Sequence, residues 1–254
     1  MRLAAGERTA QSMTPPLFLL DPLPDVDSFV LGGDEGRHAS RVQRLQVGQA
    51  LRVADGRGAA CDCLVAEVLT DGLRLTVLAR RTEPRPDPRL VVVQALPKGD
   101  RGELAVEMLT ELGVDEVVPW AAARSITQWR DARGAKALER WRRIAREAAK
   151  QSRRVHIPLV TELATTGDVV DRLRAGTGLV LHEGAAASLA GAALPTAGEV
   201  VLVVGPEGGI TDDELAAFAA AGGLAVRLGT PVLRTSTAGV AALAALSVRL
   251  DRWQ

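Results

Sequence analysis

The sequence predicts an α/β protein with a mainly parallel sheet, preceded by a smaller β domain, and three observations carry that prediction. Hydrophobic periodicity changes across "TEPRPDP", Thr82 to Pro88, which holds three prolines among charged and polar residues and reads as a linker. Beyond it, continuous apolar runs such as "LVVVQAL" and "EVVLVVG" alternate with stretches of helical period, the pattern of buried parallel strands joined by helices. Before it, short β-like runs are separated by Asp-Gly pairs at 55–56 and 71–72, a spacing that suggests a small barrel.

The chain has 254 residues, enough for one large domain or two small ones with a sizeable core. No apolar run approaches the roughly 18 residues of a membrane span, and "MRLAAGERTAQS" lacks a hydrophobic region of signal-peptide length, so a cytoplasmic protein is expected. Residues 1–12 read as a disordered extension, with Met13 as an equally good start. Cys61 and Cys63 alternate onto one face of a strand and have no second cysteine pair to complete a zinc site, so buried free thiols are expected. His38, His156 and His182 are too scattered for a metal cluster, and no metal is expected.

Within the first domain, 13–81, "DEGRHASRVQRLQVG" reads as a short helix that places Arg37, Arg41 and Arg44 on one face at i, i+4 and i+7, a second basic face for which a solvated helix decorating the barrel is the alternative. Strands follow at "QALRVAD", "AACDCLVAEVL" and "LRLTVLA". After the linker at 82–88, the second domain, 89–254, begins with the strand "LVVVQAL". "DRGELAVEMLTELG" is a helix with Leu104, Met108 and Leu112 in line and Gly113 as its stop, and "DEVVPW" is the next strand. A basic helix from about 134 to 152 buries Leu138, Trp141, Ala145 and Ala148, and turns Arg140, Arg143, Lys150 and, just beyond it, Arg154 outward. Strands at "GLVLHE", "EVVLVVG" and "LAVRLG" complete the sheet. The last helix, "STAGVAALAALSVRL", is apolar almost all round until Arg249 and must be buried on all sides, which predicts a homodimer.

Net charge is zero, which alone argues against a nucleic-acid partner, but the distribution is uneven. From Arg124 to Arg154 there are eleven Lys or Arg against three acids. Such a local excess is an electrostatic footprint for phosphates, where a solvated helix face is the alternative.

The turn in "EVVLVVGPEGGITDDEL" is the strongest single signal. A buried strand runs into Gly-Pro-Glu-Gly-Gly, and Thr211 with Glu214 three residues later forms a capping box. Strand, glycine turn and helix together place a site at the carboxyl end of the sheet. A phosphate loop of the Walker type requires a lysine that is missing here, and three acids in the first helical turn would repel a phosphate. Gly205, Gly208 and Gly209 also have the wrong spacing for a dinucleotide fingerprint. The turn suits a cationic or neutral ligand approaching bare backbone.

Four ordered segments then coincide. "VGPEGGITDDE", "LGTPVLRTSTAGVAAL", "KGDRGELAVEMLTELGVDEVVPW" and "RIAREAAKQSRRVHIP" resemble the small-subunit ribosomal RNA uridine N3-methyltransferases of the SPOUT (trefoil-knot) superfamily. "RHASRVQRLQVGQALRVADGRG" is similar to the PUA-like barrel of those enzymes. The resemblance covers nearly the whole chain from Met13. It implies a knotted SPOUT domain that binds S-adenosylmethionine in three loops, here Leu181, His182, Glu183 and Gly184; Val204, Gly205, Pro206, Gly208 and Gly209; and Leu228, Gly229, Leu233, Thr235, Thr237 and Ala238. It also implies a homodimer and, as partner, 16S ribosomal RNA within the small ribosomal subunit. One departure stands out: many relatives carry a glutamate where this chain has Ser236, so a mechanism that needs a carboxylate there is in doubt.

Methylation of uridine N3 requires alignment of donor and acceptor, and either a base for the N3 proton or a cation that stabilises the anionic uracil. Arg234 is the candidate for the cation, with phosphate or carboxylate anchoring as its alternative role. Glu207 is the candidate base, with a structural cap on the turn as the alternative. RNA contacts are expected from Arg37, Arg41 and Arg44 in the first domain and from Arg124, Arg143, Lys150, Arg153 and Arg154 in the second. With aromatic residues scarce, shape and backbone contacts around a flipped base are expected rather than stacking. Two rivals are a knotted enzyme acting on transfer RNA or a ribose oxygen, and an RNA-binding assembly factor without transferase activity.

Overall fold

The computed structural model describes residues 15–253, so the expectation for residues 1–12 lies outside the described residues. The chain divides into two compact units, one running through Asp55 and resuming over Ala59–Arg81, the other comprising Gly56–Gly58 and Thr82 onward.

The first unit holds a five-stranded mixed sheet. Its strands are β1 (Leu17–Leu19), β2 (Ser28–Leu31), β3 (Ala50–Ala54), β4 (Ala59–Leu69) and β5 (Gly72–Thr82), in the order β1-β3-β4-β5-β2. β1 runs parallel to β3, and the pairs β3–β4 and β2–β5 are antiparallel. Alternate residues turn inward to a core built on Phe18, Leu51, Val53, Leu73 and Leu75. Cys61 and Cys63 lie in this core as free thiols, as their alternation predicts. Burial is the main reason that both thiols are harder to ionise than usual, with Cys63 pushed up to about 12.

The expected basic helix face does not form. α1 (Gly33–Arg37) passes into a π-helical turn over His38–Val42, and the wider turn breaks the i, i+4, i+7 register. Arg44 lies beyond the helix in a left-handed conformation, φ 53°. Arg37 is paired with Asp34, and Arg41 with Asp71 and the carbonyl of Thr70. Of the three, Arg44 alone has a side chain with no hydrogen bond or ion pair among the described residues; its carbonyl accepts from Nε2 of Gln46 at 2.9 Å.

The second unit is a seven-stranded sheet with helices on both faces. In chain order it contains β6 (Arg89–Ala95), α2 (Arg101–Glu111), β7 (Glu116–Trp120), α3 (Asp131–Gln151), β8 (Leu159–Val160), α4 (Thr166–Ala175), β9 (Thr177–Leu181), β10 (Ala187–Ser188), β11 (Glu199–Val204), α5 (Asp212–Ala220), β12 (Leu224–Arg227) and α6 (Thr235–Arg249). The order is β10-β12-β9-β11-β6-β7-β8, and every pairing is parallel. The continuous apolar runs of β6 and β11 follow from this arrangement, because both faces are covered. Leu90, Val92, Leu202 and Val204 enter the core under α2, α3 and α6, whereas Val91, Val93, Val201 and Val203 enter the one under α4 and α5. The two-residue strands β8 and β10 are too short to leave a periodic signal.

α3 buries Leu138, Trp141, Ala145 and Ala148, the face read from its period. α2 does not bury the line Leu104, Met108 and Leu112. Its inward residues are Gly102, Ala105, Val106 and Leu109, and Leu104 is 46% exposed. The reason is the contact with α3: a Cβ at Gly102 would lie 2.5 Å from Cζ2 of Trp141, so the helix turns its glycine toward the indole. α6 is buried on one side only. Gly239, Ala242, Leu243 and Leu246 face the sheet, but Val240, Ala241, Ala244 and Ala245 are half-buried and Val248 is 62% exposed.

Two expected surface cations are structural instead. Lys150 is buried at the end of α3, beside Glu147 at 3.4 Å. Arg154 folds back to donate to the carbonyls of Thr110 and Val114, both at 2.7 Å, which satisfies backbone acceptors at and just beyond the end of α2. Burial lowers its pKa to about 10, with Asp115 opposing the shift.

Candidate active site

The carboxyl ends of β9, β11 and β12 open onto a cleft of about 540 Å³, within the range of small-molecule sites, roughly 300–1,000 Å³. Each strand delivers its last residue to the wall: Leu181, Val204 and Arg227. The N–H of His182 donates to the carbonyl of Val226 at 3.0 Å and joins two of these ends.

The glycine turn forms the floor. Gly209 has φ +74°, a left-handed conformation that favours glycine. A Cβ at Gly205 would lie 2.7 Å from Cγ1 of Ile210, and one at Gly208 would lie 3.0 Å from Cβ of Arg124. These two glycines admit neighbouring parts of the chain itself, a stronger constraint than the open approach for a ligand inferred from sequence. The hydroxyl of Thr235 donates to the carbonyl of Gly205 at 2.6 Å and accepts from Nε2 of the buried Gln94 at 3.1 Å, tying the start of α6 to the turn and to β6.

The capping box at Thr211 is present. The hydroxyl of Thr211 accepts from the N–H of Glu214 at 3.2 Å, and Glu214 Oε2 accepts from the N–H of Thr211 at 3.0 Å. The same buried carboxylate accepts from the N–H of Ala123 at 2.8 Å and from the hydroxyl of Thr166 at 3.3 Å. One glutamate thus caps α5 and fixes the loop that follows β7.

Most residues named from the sequence line this cleft. From the first loop these are Leu181, His182 and Glu183; from the second, Val204, Gly205, Pro206, Gly208 and Gly209; from the third, Leu228, Gly229, Leu233, Thr235 and Ala238. Gly184 and Thr237 stand outside the lining. The N–H of Gly184 closes a local turn onto Nδ1 of His182 at 3.1 Å, and the hydroxyl of Thr237 returns to the carbonyl of Arg234 at 3.1 Å. Ser236 is buried in the first turn of α6, also outside the lining.

Arg234 and Glu207 both face the cleft but differ in their commitments. Arg234 is the N-cap residue of α6, and its guanidinium has no hydrogen bond or ion pair among the described residues. Glu207 accepts from the N–H of Lys98 at 3.1 Å and lies 3.5 Å from Nη1 of Arg101. Its carboxylate braces the glycine turn against the loop after β6.

Of the arginines expected on RNA, Arg124 lines the cleft and donates to the carbonyl of Gly208 at 3.2 Å. Arg143 and Arg153 are exposed, Arg153 in a left-handed conformation at φ 59°. The structure adds lining residues that the sequence reading omits, chiefly Arg101, Ile210, Asp212, Arg227 and Val232. Ile210 and Val232 sit inside quoted motifs and were within reach of a closer reading. Arg101 also lies inside a quoted segment, but as the first residue of α2 it reaches the cleft only because the preceding strand, β6, pairs with β11. Among the described residues no group of three His, Cys, Asp or Glu side chains is placed to hold a metal, and no helix is long and apolar enough to cross a membrane.

Comparison with known proteins gives a consistent picture. The profile of an RNA methyltransferase domain matches residues 84–247. The chain is 48% identical to the ribosomal RNA small subunit methyltransferase E of Mycobacterium bovis, over 93% of either chain. It is 30% identical to the protein of that name from Bacillus subtilis, over 90% of this chain and 93% of the other. Among solved structures, the methyltransferase E of Neisseria gonorrhoeae bound to S-adenosyl methionine superposes with a TM-score of 0.82 at 29% identity, covering 92% of this chain and 98% of that one.

Proposed function

We infer that this chain, which belongs to the ribosomal RNA small subunit methyltransferase E family, transfers a methyl group from S-adenosylmethionine to N3 of a uridine in 16S ribosomal RNA. The observation that carries the reading is the convergence of three strand-end loops on one cleft, with the guanidinium of Arg234 uncommitted at its wall.

The residues present fit the cofactor. Leu181, Val204, Leu228 and Leu233 offer aliphatic surface to a flat base, and the backbone of Gly205 to Gly209 offers peptide groups to a ribose. Glu183 and Asp212 supply negative charge near a cationic ligand. When bound, S-adenosylmethionine supplies a methyl group on a positively charged sulfur that is already a good leaving group.

The protein's part is to orient the uracil and make N3 nucleophilic. Arg234 donates to a uracil carbonyl oxygen and stabilises the negative charge that develops as N3 gives up its proton to water. Glu207 acts as a positioning residue for the turn, because its Oε1 accepts from the N–H of Lys98 and so ties the turn to the loop after β6. Ser236, buried and without a carboxyl group, takes no part in proton transfer. This electrostatic route needs no carboxylate at position 236.

Several finer features belong to the same proposal. The mixed sheet of the first unit is the PUA-like RNA-binding barrel, and residues 89–254 form the knotted SPOUT domain. The half-exposed apolar strip of α6, Val240, Ala241, Ala244 and Val248, supports a homodimer through that helix. The substrate is the assembled small subunit in the cytoplasm, gripped by exposed cations such as Arg44, Arg143 and Arg153.

The test is a methylation assay with purified protein, S-adenosylmethionine and unmethylated small subunits, read by reverse-transcriptase arrest. A methyl on N3 blocks the pairing edge of uridine, so a cofactor-dependent stop at one uridine of the 16S RNA is expected. Cofactor binding without any stop would remove the N3 assignment and favour a ribose target.

A further inference from the structure

We propose that Arg101 and Arg124 form a clamp at the lip of the cleft that grips the phosphodiester backbone beside the nucleotide being methylated. The proposal deepens the functional reading above and rests on it. Three features carry it: the charge of the cleft, the geometry of the two side chains, and the weakness of the contacts that now hold them.

The cleft is lined by four arginines, Arg101, Arg124, Arg227 and Arg234, against three carboxylates, Glu183, Glu207 and Asp212. The cofactor does not offset this excess. Its carboxylate and ammonium cancel, and its sulfonium adds one more positive charge. A site that is cationic before and after its cofactor binds is complementary to an anionic second occupant, and RNA presents phosphates.

Arg101 and Arg124 reach the same turn from the segments that follow two different strands. Arg101, carried by the segment after β6, lies 3.5 Å from Glu207, and Arg124, carried by the loop after β7, lies 3.2 Å from the carbonyl of Gly208. Their present partners are therefore adjacent residues, and the two forks flank one short stretch of the rim. Both are available for exchange. Arg101 is 39% exposed and its contact with Glu207 is an ion pair too long for a good hydrogen bond. Arg124 uses one nitrogen on a neutral carbonyl and is otherwise exposed. A phosphate offers each guanidinium a charged, bidentate acceptor that neither contact supplies.

The division of labour follows from position. Arg234 stands on the third loop at the start of α6, while Arg101 and Arg124 flank the glycine turn. A nucleotide whose base reaches Arg234 has its backbone outside the pocket. The two rim arginines then fix the strand without touching the reacting atoms, so they act as positioning residues.

The experiment compares the full-length protein with Arg101→Gln, Arg124→Gln and Glu207→Gln. Affinity for S-adenosylmethionine is measured by calorimetry, and affinity for small ribosomal subunits is measured across a potassium chloride series. Each arginine variant is expected to bind S-adenosylmethionine within about twofold of the parent. Each should bind subunits roughly tenfold more weakly and lower the slope of log affinity against log salt by about 0.7–0.9, the signature of one lost phosphate contact. At saturating subunits kcat is retained and KM rises. Glu207→Gln frees Arg101 and should leave the salt slope of the parent intact.

A fall in S-adenosylmethionine affinity in either arginine variant would overturn the clamp, since the arginines would then be holding the cofactor's carboxylate. So would an unchanged salt slope, or an equal loss in Glu207→Gln, which would make Arg101 a brace for the turn. The reaction assignment fails separately: a parent protein that leaves no N3 methyl while the salt slopes still differ would lose the chemistry and keep the clamp.

Discussion

The two ends of the parallel sheet use the same side chain for opposite purposes. At the amino end, Arg89, Glu116 and Glu199 are the first residues of β6, β7 and β11, and Arg172 comes from α4. Arg89 bridges Glu199 at 2.7 Å and Glu116 at 2.8 Å, and Arg172 meets Glu116 at 2.6 Å and Glu199 at 3.5 Å. Nearby, Asp115 accepts from the N–H of Leu90 at 2.8 Å and from Arg252 at 2.7 Å, fastening the end of the chain to the sheet. At the carboxyl end, Arg227 and Arg234 have no side-chain partner among the described residues, and Arg101 has only a long one. An arginine whose charge is met by carboxylates at the amino end of the sheet staples the fold. One left unpaired in a cleft is held for something the protein binds.

The contrast makes its largest prediction at Glu116, whose side chain is 4% exposed and engages two arginines. Glu116→Ala removes a charge-assisted contact from each of two partly exposed arginines, 30% and 25% exposed, and leaves Glu199 as their shared carboxylate; at roughly 1.5–3 kcal/mol per contact it should cost about 3–5 kcal/mol in urea unfolding. The folded fraction should still bind S-adenosylmethionine with parental affinity, because the cleft lies at the other end of the strands. A small loss of stability, or a loss of cofactor binding by folded protein, would break the contrast at its amino end.

Arg234→Ala tests the other end. Removal of a preorganised donor to a developing anion typically costs about 10²–10³ in rate, or roughly 2.7–4 kcal/mol. Methyl transfer measured with saturating cofactor and subunits should fall by that order, while the unfolding free energy changes by less than about 0.5 kcal/mol. Arg234→Lys should recover part of the rate, since a point charge replaces the fork. A variant that instead loses stability would mean that the guanidinium works as a staple here too.

How far the sequence could distinguish staples from binding groups depends on distance along the chain. The glycine turn, the capping box at Thr211 and the inward face of α3 rest on residues a few positions apart, and all three are legible. The apolar runs of β6 and β11 likewise announce strands covered on both faces. The face of α2 is not legible, because it is set by Gly102 meeting Trp141 from another helix. The π-turn that removes Arg44 from the line of Arg37 and Arg41 adds no residue type that a helical pattern would flag. Arg101 enters the site only because β6 lies beside β11. The basic run from Arg124 to Arg154 fails in the same way: charge is visible in a sequence, whereas the carbonyls that take Arg154 lie some 40 residues upstream.

That basic run supplies the next test. Arg154 and Arg143 are eleven positions apart, one folded back on carbonyls and the other exposed. Arg154→Ala strands two acceptors and should cost about 1–3 kcal/mol in unfolding free energy. It should leave the salt dependence of subunit binding at the parental slope. If that slope fell, Arg154 would be reaching RNA despite its place in the structure.

The smallest effect separates two neighbours on α3. Arg142 donates to the carbonyl of Val160 at 3.1 Å and pairs with Glu139 at 2.7 Å and Glu162 at 2.8 Å. Arg143, the next residue, is exposed with no side-chain partner among the described residues. Because ion pairs at the surface contribute little, Arg142→Gln should cost no more than about 1 kcal/mol of stability. It should leave RNA binding unchanged. Arg143→Gln should do the reverse, with stability held within about 0.5 kcal/mol and the salt slope lowered by about 0.7–0.9 for a single lost phosphate. Equal behaviour of the two variants would mean that pairing in the free protein does not decide which arginines meet the substrate. RNA would then have to exchange partners with Glu139 and Glu162 at no net cost, and the distinction drawn between the two ends of the sheet would apply only to buried groups.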